Sequence, residues 1–88
     1  MSWRIEVKPS AETQYLRLDA QICRRIKEAL REVEAAEQPL QHSRARPLTG
    51  KLKGDYRVRI RGWRVLLTAD RERKLLHVYA ILPRGDAY

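Results

Sequence analysis

The chain has 88 residues, of which 43% are hydrophobic, and it carries a formal net charge of +8 at pH 7. This length suffices for one domain with a single core, which excludes a two-domain enzyme and a complete Rossmann or barrel fold. No apolar run is long enough to span a membrane, and the N-terminus lacks the basic and apolar segments of a signal peptide. We therefore expect a cytoplasmic protein without a membrane partner.

The positive charge is concentrated in the second half of the chain. Residues 1–40 contain seven Lys or Arg and seven Asp or Glu, whereas residues 41–88 contain twelve and four. A one-sided basic field predicts a polyanionic partner, with nucleic acid favoured over a membrane surface. From charge alone, a basic surface that serves only solubility is the alternative.

Cysteine and histidine usage argues against nucleophilic or metal chemistry. The single cysteine, Cys23, cannot form an internal disulfide, which suits a reducing compartment. Only His42 and His77 accompany it, so a catalytic cysteine or a structural zinc site is disfavoured. We interpret Cys23 as a half-buried helix thiol and His77 as a packed histidine, and we expect neither a metal nor a cofactor.

The first half of the chain predicts one strand and two helices. Residues 3–8 alternate apolar and charged side chains and indicate a strand, which Pro9 ends. Ser10 is a candidate N-cap for a short helix over residues 11–18, and Asp19 for a longer helix over residues 20–36. The longer helix has one apolar stripe, which comprises Ile22, Ile26, Ala29, Leu30, Val33 and Ala36.

The second half predicts a basic loop and three strands. Residues 38–54 contain two prolines and two glycines and indicate a loop. Strands are predicted over residues 56–61, 63–68 and 75–82, with Gly62 in the first turn and residues 70–73 in the second. The last strand is apolar on both faces, which is typical of an interior strand.

The first hairpin places like charges opposite each other. If Arg61 and Gly62 form a two-residue turn, Val58 pairs with Val65, and Arg59 then lies directly opposite Arg64. Such a pair is destabilising, so we interpret this face as a receptor for anionic oxygens rather than as a solvated strand face, the alternative. The permanent, bidentate donors of the cluster are Arg57, Arg59, Arg61 and Arg64.

The hairpin sequence YRVRIRGWRVL, from residue 56 to 66, and the C-terminal RGDAY, from residue 84 to 88, resemble toxins of the RelE/ParE superfamily of type II toxin–antitoxin systems. The resemblance covers essentially the whole chain, 1–88, as one domain. It implies an α+β fold, in which two N-terminal helices pack on one face of a small antiparallel sheet. One N-terminal strand and three C-terminal strands would form that sheet.

The matching residues resemble the RelE branch, whose members cut mRNA in the ribosomal A site without a metal ion. In this resemblance Arg64 matches the catalytic arginine, Arg84 the arginine after the last strand and Tyr88 the terminal tyrosine. Arg57 and Arg59 match two basic residues that are lysines in RelE itself, so no general base is evident. The residues expected to hold RNA or ribosomal phosphates are Arg44, Arg46, Lys51, Lys53 and Arg61.

The resemblance also implies partners. These are a cognate antitoxin with an acidic or amphipathic segment over the basic face, and the ribosome with its mRNA. Operator DNA would be contacted only through the antitoxin. Two other functions stay open from the sequence: inhibition of DNA gyrase, as in ParE-like members, and a catalytically silent co-repressor.

Overall fold

A computed structural model describes residues 2–83, in which two helices pack on one face of a five-stranded sheet. The elements are β1 (Arg4–Val7), α1 (Pro9–Leu16), α2 (Ala20–Ala35), β2 (Ala45–Pro47), β3 (Asp55–Ile60), β4 (Trp63–Asp70) and β5 (Leu75–Pro83). Single 3-10 turns at Pro39–Gln41 and Gly50–Leu52 flank β2. The strand order is β1-β5-β4-β3-β2. The predicted α+β class, with its helices on one face, is confirmed.

The β3–β4 hairpin has the predicted register. Val58 pairs with Val65, Arg59 with Arg64 and Ile60 with Trp63 across a two-residue turn. Arg61 opens that turn with a φ of 51°, in the left-handed region that non-glycine residues seldom occupy. The register sends both valines to the helix side, where each is fully buried.

Helix α2 supplies the other half of the core, as its apolar stripe predicts. Ile26 and Val33 are fully buried and Ala29 nearly so, and the three pack with the inward side chains of the sheet. Asp19 caps the helix as predicted, because its carboxylate accepts a hydrogen bond of 2.9 Å from the backbone N–H of Gln21.

Helix α1 begins earlier than predicted. Its first residue is Pro9, whose missing N–H costs nothing there because the first helical N–H groups have no partner within the helix. Lys8 is the N-cap, so the prediction of Ser10 as the cap is wrong. Ser10 lies inside the helix, and its hydroxyl donates to the backbone carbonyl of Tyr79 at 3.3 Å.

The sheet differs from the prediction in two ways. Residues 45–47, predicted as loop, form the edge strand β2, which pairs antiparallel with β3. Strand β1 pairs parallel with β5, so the sheet is mixed rather than antiparallel. The alternation of residues 3–8 identifies a buried face but carries no information on the neighbouring strand or its direction. A three-residue strand is too short to show a period at all.

Side chains from both helices bind backbone groups at the sheet edge. Strand β1 pairs with β5 only as far as Val78. Beyond that point α1 replaces it, because the side-chain oxygen of Gln14 accepts a hydrogen bond of 2.8 Å from the backbone N–H of Ile81. On β1 itself, the Glu34 carboxylate accepts a bond of 2.8 Å from the N–H of Ile5. These contacts satisfy edge groups that would otherwise be open to pairing.

The two helices are joined through Tyr15 and Cys23. The Tyr15 hydroxyl donates to the Cys23 carbonyl at 3.1 Å, and the Cys23 thiol donates to the Tyr15 carbonyl at 3.2 Å. Burial, and to a lesser extent the Cys23 thiol, raises the pKa of Tyr15 above its ordinary value. Cys23 is thus a half-buried structural thiol, as expected. No described helix has the length and apolar character needed to cross a bilayer.

Replacing Gln14 tests the bond between α1 and β5. Gln14→Ala leaves the Ile81 N–H without its acceptor, and we expect a loss of about 1–3 kcal/mol in the free energy of unfolding. Gln14→Glu keeps an acceptor and should lose less. The control Gln21→Ala, at an exposed position of α2, should change stability by less than about 0.5 kcal/mol in urea unfolding. Equal effects at positions 14 and 21 would contradict a stabilising role for this bond.

Candidate functional site

The sheet face opposite the helices carries two like-charged pairs. Arg46 of β2 lies opposite Arg57 of β3, and Arg59 of β3 lies opposite Arg64 of β4. Because alternate residues of a strand share a face, all four side chains project from the same side. We call these four residues the arginine face. Like charges directly opposite each other repel, so a face with two such pairs suits an anionic ligand.

Each pair combines one half-buried and one exposed arginine. Arg57 and Arg64 are partly buried and their Nε atoms are shielded from solvent, whereas Arg46 and Arg59 are exposed. Leu66, which lies opposite Arg57, is only 2% exposed although it is on the same side of the sheet. Packing therefore restricts one guanidinium of each pair, and the exposed partner can close over an anion.

A hydrogen-bonded carboxylate borders the arginine face. Asp55 precedes Arg57 by two residues on β3, and its Oδ2 accepts a hydrogen bond of 2.8 Å from the Tyr79 hydroxyl. The bond passes over β4, which lies between β3 and β5. A β-bulge makes this possible: Leu66 and Leu67 pair with Ala80 and Val78, so Tyr79 is the extra residue of β5. We call these two residues the Asp55–Tyr79 pair.

His77 lies further along the same face. It pairs with Thr68 on one side and with Glu6 on the other, and its Nδ1 is 3.9 Å from a carboxylate oxygen of Glu6. Its side chain is 25% exposed, in agreement with its interpretation as a packed histidine. Within residues 2–83, no three His, Cys, Asp or Glu side chains are grouped as metal ligands.

The predicted RNA- or ribosome-binding residues are not all on one surface. Only Arg46 belongs to the arginine face. Arg44 forms an ion pair of 2.7 Å with Glu32 of α2 and, with Arg61, borders a cleft on the helix side of the sheet. Lys51 and Lys53 are exposed in the segment just before β3.

Two of the predicted catalytic residues, Arg84 and Tyr88, lie outside the described residues. Arg57, Arg59 and Arg64 share one face, as the predicted register requires. The prediction of Arg61 as the fourth member of this cluster is wrong, because it lies in the turn and borders the cleft on the helix side. Sequence reasoning missed the position of Arg46 beside Arg57 and the whole Asp55–Tyr79 pair. A signal existed for Asp55, because extending the alternation of Arg59 and Arg57 by one step places it on the same face. Tyr79 gave a similar signal, because it lies two residues after His77 on β5 and alternation places both on one face. Its reach across β4 to Asp55 had no signal in the sequence.

The chain resembles known toxins in sequence and in fold. The family model described as ParE toxin of type II toxin–antitoxin system, parDE, matches residues 5–88. No curated protein sequence matches significantly. Among solved structures, a chain of the toxin–antitoxin complex RelBE2 from Mycobacterium tuberculosis is 21% identical with a TM-score of 0.79, covering 98% of this chain and 95% of that one.

Two further structures have the same fold. A chain of the archaeal RelE–RelB complex from Pyrococcus horikoshii is 23% identical with a TM-score of 0.75, covering 99% of this chain and 100% of its own length. The YoeB/ParE toxin from Agrobacterium tumefaciens is 19% identical with a TM-score of 0.74, covering 92% and 98%. The fold, the hairpin sequence and the match over residues 5–88 lead to one assignment: the chain belongs to the ParE toxin family of the RelE/ParE superfamily and is a toxin of a type II toxin–antitoxin system.

Proposed function

We propose that this toxin is a metal-independent endoribonuclease that cuts mRNA in the ribosomal A site and so inhibits translation. The observation that carries the proposal is the arginine face, where two like-charged pairs share one side of the sheet. Four permanently charged donors in this arrangement suit the phosphates of a single RNA strand.

The chemistry needs charge stabilisation more than it needs a base. In RNA cleavage the 2′-hydroxyl loses its proton to water as its oxygen bonds to the adjacent phosphorus, and negative charge grows on the phosphorane. The bond to the 5′-oxygen then breaks, and that oxygen takes up a proton from water. Arg64, half-buried and restricted, would hold the scissile phosphate, with Arg59 opposite it. Arg57 would add positive field near the attacking 2′-hydroxyl. From the family resemblance, Arg84 would stabilise the leaving group and Tyr88 would orient a nucleotide.

The ribosome would supply the geometry that this site lacks. An arginine keeps its proton and cannot act as a general base, so the rate would depend strongly on how well the 2′-oxygen is aligned with the phosphorus. An mRNA fixed in the A site is already ordered, and this toxin would act there, in the cytoplasm. Lys51 and Lys53, both exposed, and Arg44 and Arg61 at the cleft would contact ribosomal RNA phosphates.

A cognate antitoxin would neutralise this activity. The family is defined by toxin–antitoxin pairs, and two of the similar structures, RelBE2 and RelE–RelB, are described as toxin–antitoxin complexes. An acidic or amphipathic antitoxin segment over the arginine face would relieve its internal repulsion and exclude RNA. Operator DNA would be reached only through the antitoxin.

The second candidate function is inhibition of DNA gyrase. The match to the ParE family model favours it. The two functions differ in their requirement for the arginine face. Phosphate stabilisation in RNA cleavage needs Arg64, whereas a gyrase inhibitor needs a surface that fits the gyrase protein. Gyrase-dependent DNA breaks that persist in an Arg64 variant would therefore support the second candidate.

Removing Arg64 tests the nuclease. In a purified translation reaction with a defined mRNA, we expect the wild-type toxin to cut at A-site codons and Arg64→Ala to reduce the rate about 10²- to 10³-fold. Primer extension measures the cuts. Arg59→Ala should also reduce the rate, and Arg24→Ala, at an exposed position of α2, should not. Circular dichroism confirms that each variant is folded. Intact mRNA with folded wild-type toxin, or equal cutting without ribosomes, would contradict the proposal.

Replacing Arg59 tests whether the arginine face lowers the free energy of unfolding while it supports mRNA cleavage. Arg59→Thr removes the repulsion from Arg64, and we expect about 0.2–1 kcal/mol of added stability at low ionic strength together with slower mRNA cleavage. The matched control is Arg4→Thr, since Arg4 lies opposite Leu75. Urea unfolding measures the free energy of unfolding of both variants. The amount by which Arg59→Thr exceeds Arg4→Thr should decrease as salt is added, because salt screens the repulsion. If Arg59→Thr is less stable than the wild-type protein at low salt, repulsion between Arg59 and Arg64 is refuted.

A further inference from the structure

We propose that Asp55, held by Tyr79, reads one nucleobase of the bound RNA and selects bases with an exocyclic amino group over uracil. This inference rests on the proposed function for the identity of the polymer. It adds a specificity-determining residue that the arginine face cannot supply, because phosphate contacts carry no sequence information.

The position of Asp55 suits a base beside a bound phosphate. Asp55 and Arg57 are two residues apart on one strand, so their Cα atoms are separated by about 6.6 Å. This is comparable with one nucleotide step along a single strand. An RNA whose phosphate lies at Arg57 therefore brings a neighbouring base within reach of the Asp55 carboxylate.

Asp55 is held in place before any ligand binds. Tyr79 donates a hydrogen bond of 2.8 Å to Oδ2, and both side chains are half-buried. The β5 bulge that directs Tyr79 toward β3 is a device that often re-aims side chains at functional sites. With Oδ2 fixed by the hydroxyl, Oδ1 remains as an acceptor with a defined direction.

The chemistry of a carboxylate defines which bases it accepts. An ionised carboxylate only accepts hydrogen bonds, and adenine, cytosine and guanine each offer an amino group that donates. Uracil offers only its N3–H, which is flanked by two carbonyl oxygens that a carboxylate repels. A negative charge beside RNA also repels the phosphates, and a hydrogen bond from a base amino group offsets this repulsion. Asp55 therefore disfavours uracil as well as favouring the bases that carry an amino group.

A purely structural role for the Asp55–Tyr79 pair is the main competitor. The bond links β3 to β5, but β4 already pairs with both strands along its length. Two other carboxylates among residues 2–83 on this side of the sheet have different contacts. Asp70 accepts a bond from the backbone N–H of Arg73, and Glu6 approaches His77. Asp55 is the first residue of β3 and directly precedes the β3 arginines of the arginine face.

Base selectivity of RNA binding is the direct test. Short labelled RNAs that differ only at one central base are titrated with toxin and followed by fluorescence anisotropy. We expect the best of the A, C and G ligands to bind about 5- to 150-fold more tightly than the U ligand. Asp55→Asn should bring this ratio close to one, because an amide can also donate to a uracil carbonyl. Tyr79→Phe should reduce the ratio without removing binding.

The control is chosen to separate selectivity from folding. Tyr56→Phe removes another hydroxyl of the sheet, one that accepts a 2.9 Å bond from Arg71, and it should leave the base ratio unchanged. Thermal melting of all variants is compared in parallel. A wild-type ratio near one, an unchanged ratio in Asp55→Asn, or an equal loss of binding to every base would overturn the inference.

The same variants in the translation reaction separate this inference from the proposed function. Selective RNA binding that depends on Asp55, without any mRNA cleavage, would remove the nuclease and leave the base-reading role intact. A-site cleavage at the same codons in wild type and Asp55→Asn would support the nuclease and remove the base-reading role of Asp55. A changed spectrum in Asp55→Asn, with a decreased bias against uracil, would support both.

Discussion

The register of the β3–β4 hairpin decides which side chains form the core and which form the arginine face. Because side chains alternate along a strand, a slip of one residue would expose Val58 and Val65 and bury arginines. Burying one valine contributes about 1.5–3 kcal/mol, whereas a pair of like charges across two strands costs about 0.2–1 kcal/mol. The core therefore dominates, and the repulsion between Arg59 and Arg64 is tolerated.

Helix α1 and the bulge in β5 extend this arrangement to the other side of the sheet. Strand β1 accompanies β5 for only four residues, and α1 then binds its backbone through Ser10 and Gln14. Beside these contacts, the bulge turns Tyr79 toward Asp55. The same segment of β5 thus anchors a helix through its backbone and supports a polar group on the opposite face through a side chain.

The charge distribution connects the fold to the proposed function. The excess of basic residues falls after residue 40, and the arginine face collects four of them on three neighbouring strands. Others serve different contacts, such as the ion pair of Arg44 with Glu32, which joins the segment before β2 to α2. A basic half of the sequence is therefore not one basic surface. The four arginines in register across β2, β3 and β4 are the ones that share one face of the sheet.

The two helices, the core stripe of α2, the hairpin register and the opposition of Arg59 and Arg64 follow from the amino-acid sequence alone. These features depend on short-range periodicity, on a two-residue turn and on a capping aspartate, all of which are local. The sequence also carried the family resemblance, through the YRVRIRGWRVL segment. The parallel pairing of β1, the strand at residues 45–47 and the contact between Asp55 and Tyr79 become visible only in the folded chain. Each of these joins residues that are distant in sequence, and local periodicity carries no information on such contacts. The arginine face accordingly needed the fold to add Arg46, because a three-residue edge strand is defined by its partner rather than by its own pattern.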